Sequence, residues 1–158
     1  MPVKVLFVCL GNICRSPTAE GVFRYLVQEA FMEEHIHIDS AGTANWHSGR
    51  APDPRTIAAA KKRNVDLSVL RARAVAPEDF YAFDYILAMD DANLSDLKSS
   101  KPADYKGHLG LFLYFASSEH FRHVPDPYHG DADGFELVLN LIEDASAGLL
   151  LAIKKQHF

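Results

Sequence analysis

The feature that most constrains the fold is the run Val3-Lys4-Val5-Leu6-Phe7-Val8, which ends at Cys9 and passes at once into Leu10-Gly11-Asn12-Ile13-Cys14-Arg15-Ser16-Pro17. β-Branched and aliphatic residues with little alternation are what a strand covered on both faces requires. From Ser16 to about Met32 the apolar positions Ala19, Val22, Phe23, Leu26, Val27 and Ala30 recur at helical spacing. Ser16 is the expected N-cap, and Pro17 suits the first turn. Strand, short loop and helix in succession put Cys9 at the carboxyl end of the strand and Arg15 at a helix N-terminus. In an open α/β sheet that is where ligands bind.

The alternation continues along the chain. Ile36 to Ala41 reads as a strand, Pro54 to about Arg63 as a helix, and Pro77 starts a helical turn through Tyr81. Tyr85 to Met89 is a third strand, and Asp90-Asp91-Ala92-Asn93-Leu94 opens another helix. Leu109 to Phe115 is expected as a fourth strand, with a helix as the alternative because of its aromatic content. Asp131 to about Lys155 has the apolar spacing of a long amphipathic helix, carried by Phe135, Val138, Leu139, Ile142 and Leu149 to Leu151. Strands alternating with helices predict an α/β fold with a parallel sheet covered on both faces. The length of 158 residues fits one domain over 1–158 with one core.

Bulk properties narrow the function. A net charge of −5 with no basic tail or stripe argues against a nucleic-acid partner. The two cysteines, Cys9 and Cys14, share one loop and do not form a secreted disulfide framework. The N-terminus lacks the charged and apolar regions of a signal peptide, and Val3 to Cys9 is too short to span a bilayer. The expectation is therefore a cytoplasmic protein without membrane insertion. The eight histidines are scattered, and the pairs His35/His37 and His120/His123 lack co-ligands, so no metal is expected. Lys61-Lys62-Arg63 reads as a solvated helix end, and Trp46 as an exposed loop residue.

The first loop carries the chemistry. A thiol attacks only as the thiolate. The helix N-terminus, the Arg15 guanidinium and the Ser16 hydroxyl are placed to favour a sulfur anion. Backbone N–H groups from Leu10 to Arg15 can form an anion nest, with Gly11 easing unusual backbone angles. The planar fork of Arg15 matches two phosphate oxygens, and Asn12 can lock the loop by hydrogen bonding across it. The competing reading is an inert buried thiol beside a surface cation. A strand before, a Ser-Pro helix start after and a glycine within favour the site. A nucleotide-binding loop is disfavoured, because the Gly-Lys-Ser/Thr ending is missing. A phosphocysteine also needs an acid and then a base. The candidate is Asp126 in Val124-Pro125-Asp126-Pro127-Tyr128, where flanking prolines stiffen the backbone; a plain turn residue is the alternative.

Taken with Asp39-Ser40-Ala41-Gly42-Thr43, Trp46, Pro52-Asp53-Pro54-Arg55, Arg71-Ala72-Arg73 and Asp84 to Asp90, these motifs resemble the low-molecular-weight protein tyrosine phosphatase family along the whole chain. The resemblance implies a four-stranded parallel sheet with a phosphate-binding loop after the first strand. It also implies hydrolysis of phosphotyrosine in two steps with no metal or cofactor. By the same resemblance Cys9 is the nucleophile, Arg15 the phosphate clamp and Asp126 the general acid. Leu10, Gly11, Asn12, Ile13, Cys14 and Ser16 belong to the substrate-binding loop, with Ser16 stabilising the thiolate. Trp46 and Tyr128 resemble the aromatic walls of a slot that suits an aryl phosphate on a protein or peptide, with inorganic phosphate as product.

Two positions depart from the family pattern. Leu70 stands where a histidine often supports the loop asparagine, which puts the partners of Asn12 and Ser40 in question. His129 replaces a second tyrosine after Asp126-Pro127-Tyr128. The resemblance further implies a protective Cys9–Cys14 disulfide, the alternative being that Cys14 is a small packing residue. Arsenate reductase shares the fold and the loop, but it relays oxidation through further cysteines, and none follows Cys14. A catalytically idle phosphate-binding module is disfavoured because nucleophile, clamp and acid are all present.

Overall fold

Successive residues of a strand face opposite sides of its sheet, and the first strand uses both sides for core. A computed structural model covering residues 1–158 contains four strands: β1 (Val3–Cys9), β2 (Ile36–Gly42), β3 (Tyr85–Ala88) and β4 (His108–Leu111). All are parallel, in the order β2-β1-β3-β4. β1 pairs with β2 from Val3↔Ile36 to Cys9↔Gly42 and with β3 from Val5↔Tyr85 to Val8↔Ala88. Both of its edges are therefore satisfied, and Val5 to Val8 have no solvent exposure.

Five helices cover the sheet: α1 (Arg15–Glu29), α2 (Pro54–Lys61), α3 (Asp79–Ala82), α4 (Asp91–Ser100) and α5 (Ala132–His157). Val3, Val5, Phe7 and Cys9 share the larger core with residues of α1, α2 and α5. Leu6 and Val8 turn the other way into a smaller core with Phe80 of α3 and Leu94 and Leu97 of α4. Phe7 anchors the larger core, its ring meeting Phe23 and Phe112 edge-on at 5.7 and 4.8 Å. Aspartates cap three helices: Asp53 accepts from Arg55 N, Asp90 from Asn93 N and Asp131 from Gly134 N.

Four expectations need correction. The fourth strand stops at Leu111, and Phe112–Phe115 forms a 3₁₀ turn instead. That tighter turn buries Phe112 and Leu113 while leaving Tyr114 exposed, so the aromatic run fills the core without extending the edge of the sheet. Ser16 is not the cap of α1: the helix begins at Arg15, and Cys14 holds the cap position without a side-chain bond. The Ser16 hydroxyl lies instead against the Cys9 sulfur. Arg63 is no solvated helix end, since it binds Glu136 at 2.6 Å and Glu143 at 3.0 Å on α5. α1 also ends at Glu29, short of Met32, as Phe31 turns to a φ of 58°.

The 3₁₀ turn and α5 meet backbone to backbone at Gly148. A Cβ on Gly148 of α5 would stand 1.8 Å from the Phe115 carbonyl oxygen. Exchanging glycine for alanine ordinarily favours a helix by about 1 kcal/mol. Here Gly148→Ala is expected to destabilise the protein by about 1–3 kcal/mol through overpacking. Urea denaturation measures the sign, and a stabilised variant would contradict this packing.

Candidate active site

The chain leaves the sheet at Cys9 and must turn sharply to enter α1. Asn12 makes the turn, with a φ of 57° in the left-handed region. Asparagine is among the few side chains that accept it readily. Its backbone N–H then points at the Cys9 Sγ, 3.3 Å away. Its side-chain amide donates to Ser16 Oγ at 2.7 Å and to Ser40 Oγ at 3.0 Å, and its Oδ1 accepts from Arg73 N at 3.0 Å. Asn12 is thereby buried and tied to α1, β2 and the segment before α3.

Ser16 Oγ sits 3.0 Å from Cys9 Sγ. Because that oxygen already accepts from Asn12, its own proton is free to point at the sulfur, which is nearer than the Ala41 carbonyl at 3.4 Å. Two donors therefore converge on the thiol from within the loop. The Cys14 thiol behaves differently. Burial pushes it up to about 12, so it stays protonated at neutral pH.

Arg15 is only 3% exposed. Its Nη1 donates to Asp90 Oδ2 at 2.6 Å and to the Val124 carbonyl at 3.2 Å. The other arm of the fork comes within 3.7 Å of Asp126 Oδ2. One arm is thus held by the protein while the second faces the cavity. Asp126 lies beyond β4, on the loop that precedes α5, and its Oδ1 accepts from Tyr128 N at 3.1 Å. Prolines on both sides limit the backbone there, and its carboxylate remains half open to solvent.

Loop, clamp and carboxylate border one cavity of about 220 Å³. Cys9 and Arg15 form its floor together with Leu10, Gly11, Ile13 and Cys14. Trp46, 69% exposed, and Tyr128 stand at the walls with His47 and His129. Every sequence-derived candidate is brought to this cavity except Asn12 and Ser16, which brace it from behind. No group of three or more His, Cys, Asp or Glu is gathered in a metal-binding arrangement.

The question raised by Leu70 has a structural answer. Leu70 packs, partly buried, against the larger core. The support for Asn12 comes from Glu20, an acidic residue in the second turn of α1 that is only 5% exposed. Glu20 Oε1 accepts from Ser40 Oγ at 2.6 Å, and Oε2 accepts from Arg24 at 2.8 Å. Arg24 in turn donates to the Ile38 carbonyl at 2.9 Å. An Arg24–Glu20–Ser40–Asn12 chain thus completes the hydrogen bonding without an imidazole. Glu20 and Asp90 were not singled out from sequence as parts of the site. The four-residue spacing of Glu20 and Arg24 is a signal for an ion pair, but nothing local ties Glu20 to Ser40.

Glu20→Ala is expected to cost about 1–3 kcal/mol in denaturant, since the Ser40 hydroxyl loses its acceptor in a buried position. Arg24→Ala should cost less than about 1 kcal/mol, because that cation is partly solvated. Equal effects would contradict the proposed order of the chain. Brief alkylation at pH 8 of the folded protein should modify Cys9 and spare Cys14. Mass spectrometry showing Cys14 labelled as fast as Cys9 would contradict its raised pKa.

Comparison with known proteins agrees with this geometry. The family model described as low molecular weight phosphotyrosine protein phosphatase matches residues 4–157. The low molecular weight phosphotyrosine protein phosphatase of Schizosaccharomyces pombe is 45% identical over 152 residues, covering 96% of this chain and 97% of that protein. Among solved structures, a protein tyrosine phosphatase from Entamoeba histolytica superposes with a TM-score of 0.94 at 38% identity, covering 99% of each chain. YfkJ from Bacillus subtilis gives a TM-score of 0.94 at 37% identity, covering 100% of this chain and 98% of that one. The chain belongs to the low molecular weight phosphotyrosine protein phosphatase family.

Proposed function

We propose that this protein hydrolyses phosphotyrosine and small aryl phosphates through a phosphocysteine at Cys9. The observation that carries the assignment is the convergence of Ser16 Oγ at 3.0 Å and the Asn12 N–H at 3.3 Å on one sulfur, beside a buried arginine. Hydrogen-bond donors fixed before reaction stabilise developing charge without a reorganisation cost.

In the first step the Cys9 sulfur attacks phosphorus. The S–P bond forms, the P–O bond to the aryl group breaks, and the Asp126 carboxyl gives its proton to the departing oxygen. In the second step the Asp126 carboxylate takes a proton from water as the water oxygen attacks phosphorus. The S–P bond breaks, inorganic phosphate leaves, and Cys9 returns as a thiolate with Asp126 protonated again. Arg15 holds equatorial phosphate oxygens with the arm that Asp90 and Val124 leave free, and the backbone N–H groups of the loop take the rest. Positioning by such clamps supplies much of the barrier reduction in phosphoryl transfer. Trp46 and Tyr128 receive the aromatic ring.

The natural substrate in this reading is a phosphotyrosine in a protein or peptide, not a nucleic acid, given the acidic net charge of −5. No helix is long and apolar enough to cross a membrane. With two unpaired cysteines, one of them the nucleophile, the enzyme suits the reducing cytoplasm. Arsenate reduction through a cysteine relay is disfavoured, because no cysteine follows Cys14.

Aryl phosphate turnover by the wild type, Cys9→Ser and Asp126→Ala tests the assignment. The wild type should turn over in the presence of a chelator, Cys9→Ser should lose measurable activity, and Asp126→Ala should fall by about 10²–10⁴-fold, the range of general acid catalysis. Normal turnover by Cys9→Ser would overturn the mechanism.

A further inference from the structure

Two histidines at the mouth of the cavity have no part in the steps above. His47 follows β2 and leans over the phosphate loop, with its Cδ2 3.0 Å from the point a Cβ on Gly11 would occupy. A side chain at position 11 would push the imidazole aside. The His47 ring lies 6.4 Å from that of Tyr128, and His129 meets the same ring edge-on at 4.9 Å. The histidine ring nitrogens engaged by other side chains belong to His123 and His157. Those of His47 and His129 are free for a ligand.

The charges around the mouth are unevenly distributed. Arg55 lies 5.7 Å above the Tyr128 ring, donates to the Tyr128 carbonyl at 2.7 Å and is bound to Asp53. Asp126 is the one carboxylate that lines the cavity. On the side of His129 the chain continues to Asp131, the cap of α5, and to Asp133 in its first turn. On the side of His47 the next charged residue is the exposed Arg50. An anionic group beside a bound phosphotyrosine therefore meets imidazole and guanidinium near His47, and carboxylates beyond His129.

We propose that the His47 rim, with His129 across the Tyr128 ring, selects phosphotyrosines that carry Asp or Glu next to them in sequence. This specificity rests on the phosphotyrosine reading of the site. Imidazole can carry positive charge near neutrality and donates N–H bonds to carboxylates. At an exposed rim such a contact acts over short range and is screened by salt. The bonds to the Cys9 sulfur come from Ser16 and Asn12 and not from either imidazole, so the rim acts through capture of the peptide.

The test uses pairs of phosphotyrosine peptides that differ only by Glu or Gln beside the phosphotyrosine, on its N-terminal side in one pair and its C-terminal side in the other. Assays run at pH 6 and low salt, with kcat/KM compared within each pair. Wild type should favour Glu by about 2–5-fold in at least one pair, as expected for an exposed ion pair. The preference should shrink toward unity at 0.5 M salt, a value about which screening lengths fall to a few ångströms. A His47→Gln/His129→Gln variant should lose the preference, and His47→Lys should keep it. Because each ratio is taken within one protein, poor folding of a variant cancels. A ratio near one in wild type, or an undiminished ratio in the double glutamine variant, would overturn the specificity and leave the phosphatase reading intact. No hydrolysis of any peptide would overturn both.

Discussion

The site depends on Asn12. Its left-handed backbone turns the loop so that its own N–H faces Cys9, while its side chain spends both donors and its acceptor on Ser16, Ser40 and Arg73. A loop that presents donors toward a small anion has to resist collapsing onto itself, and a row of inward N–H groups has little else to hold it. Asn12 supplies that resistance from behind. The buried Glu20–Ser40 bond of 2.6 Å extends the bracing into α1 and β2. Loss of Asn12, Ser40 or Glu20 leaves a buried polar group without its partner, which is costlier than the mean value of a hydrogen bond.

The sheet then brings distant residues to that loop. With β1 in the interior, its carboxyl end is bordered by the exits of β2 and β3, which lead toward Trp46 and Asp90. Asp90 serves two purposes. One oxygen caps α4 through Asn93 N, and the other holds Arg15. Arg15 also grips the Val124 carbonyl, two residues before Asp126. Arg15 and Asp126 are consequently registered to each other through a bond between segments 109 residues apart. Val124 is itself fixed by an N–H bond to the Met89 carbonyl at 2.9 Å, next to Asp90.

What the sequence made legible was mostly local. The strand, loop and helix around Cys9 could be read because the apolar run, the Ser-Pro step and the helical spacing lie within about thirty residues and obey separate periodicities. Phe112–Phe115 reads either way because a short run of apolar and aromatic residues fills a core equally as a strand or as a 3₁₀ turn; here the turn buries the adjacent Phe112 and Leu113. Ser16 misled for a chemical reason: a hydroxyl at a helix start serves equally as a cap or as a donor to a thiol, and only the position of Cys9 decides. Asp90 reads as a residue that opens a helix, which it also does by capping α4, while Glu20 carries no local sign of its bond to Ser40. Their partners, Ser40 and Arg15, lie 20 and 75 positions away, so no local pattern pairs them. Leu70 shows the same limit from the other side, since an absent histidine at one position says nothing about a carboxylate that makes it unnecessary.

In the proposed mechanism the donors gathered around Cys9 serve to hold a phosphoryl group on its sulfur. Rapid acid quenching of Asp126→Ala during turnover of an aryl phosphate, followed by peptide mass spectrometry, tests it directly. Asp126 is both the acid of the first step and the base of the second, so the substrate is an aryl phosphate whose phenol departs as the anion; only the second step then loses its catalyst, and a phosphoryl group should accumulate on the peptide containing Cys9. A phosphoryl group found on another residue, or release of phosphate with no covalent species at any time, would contradict the account.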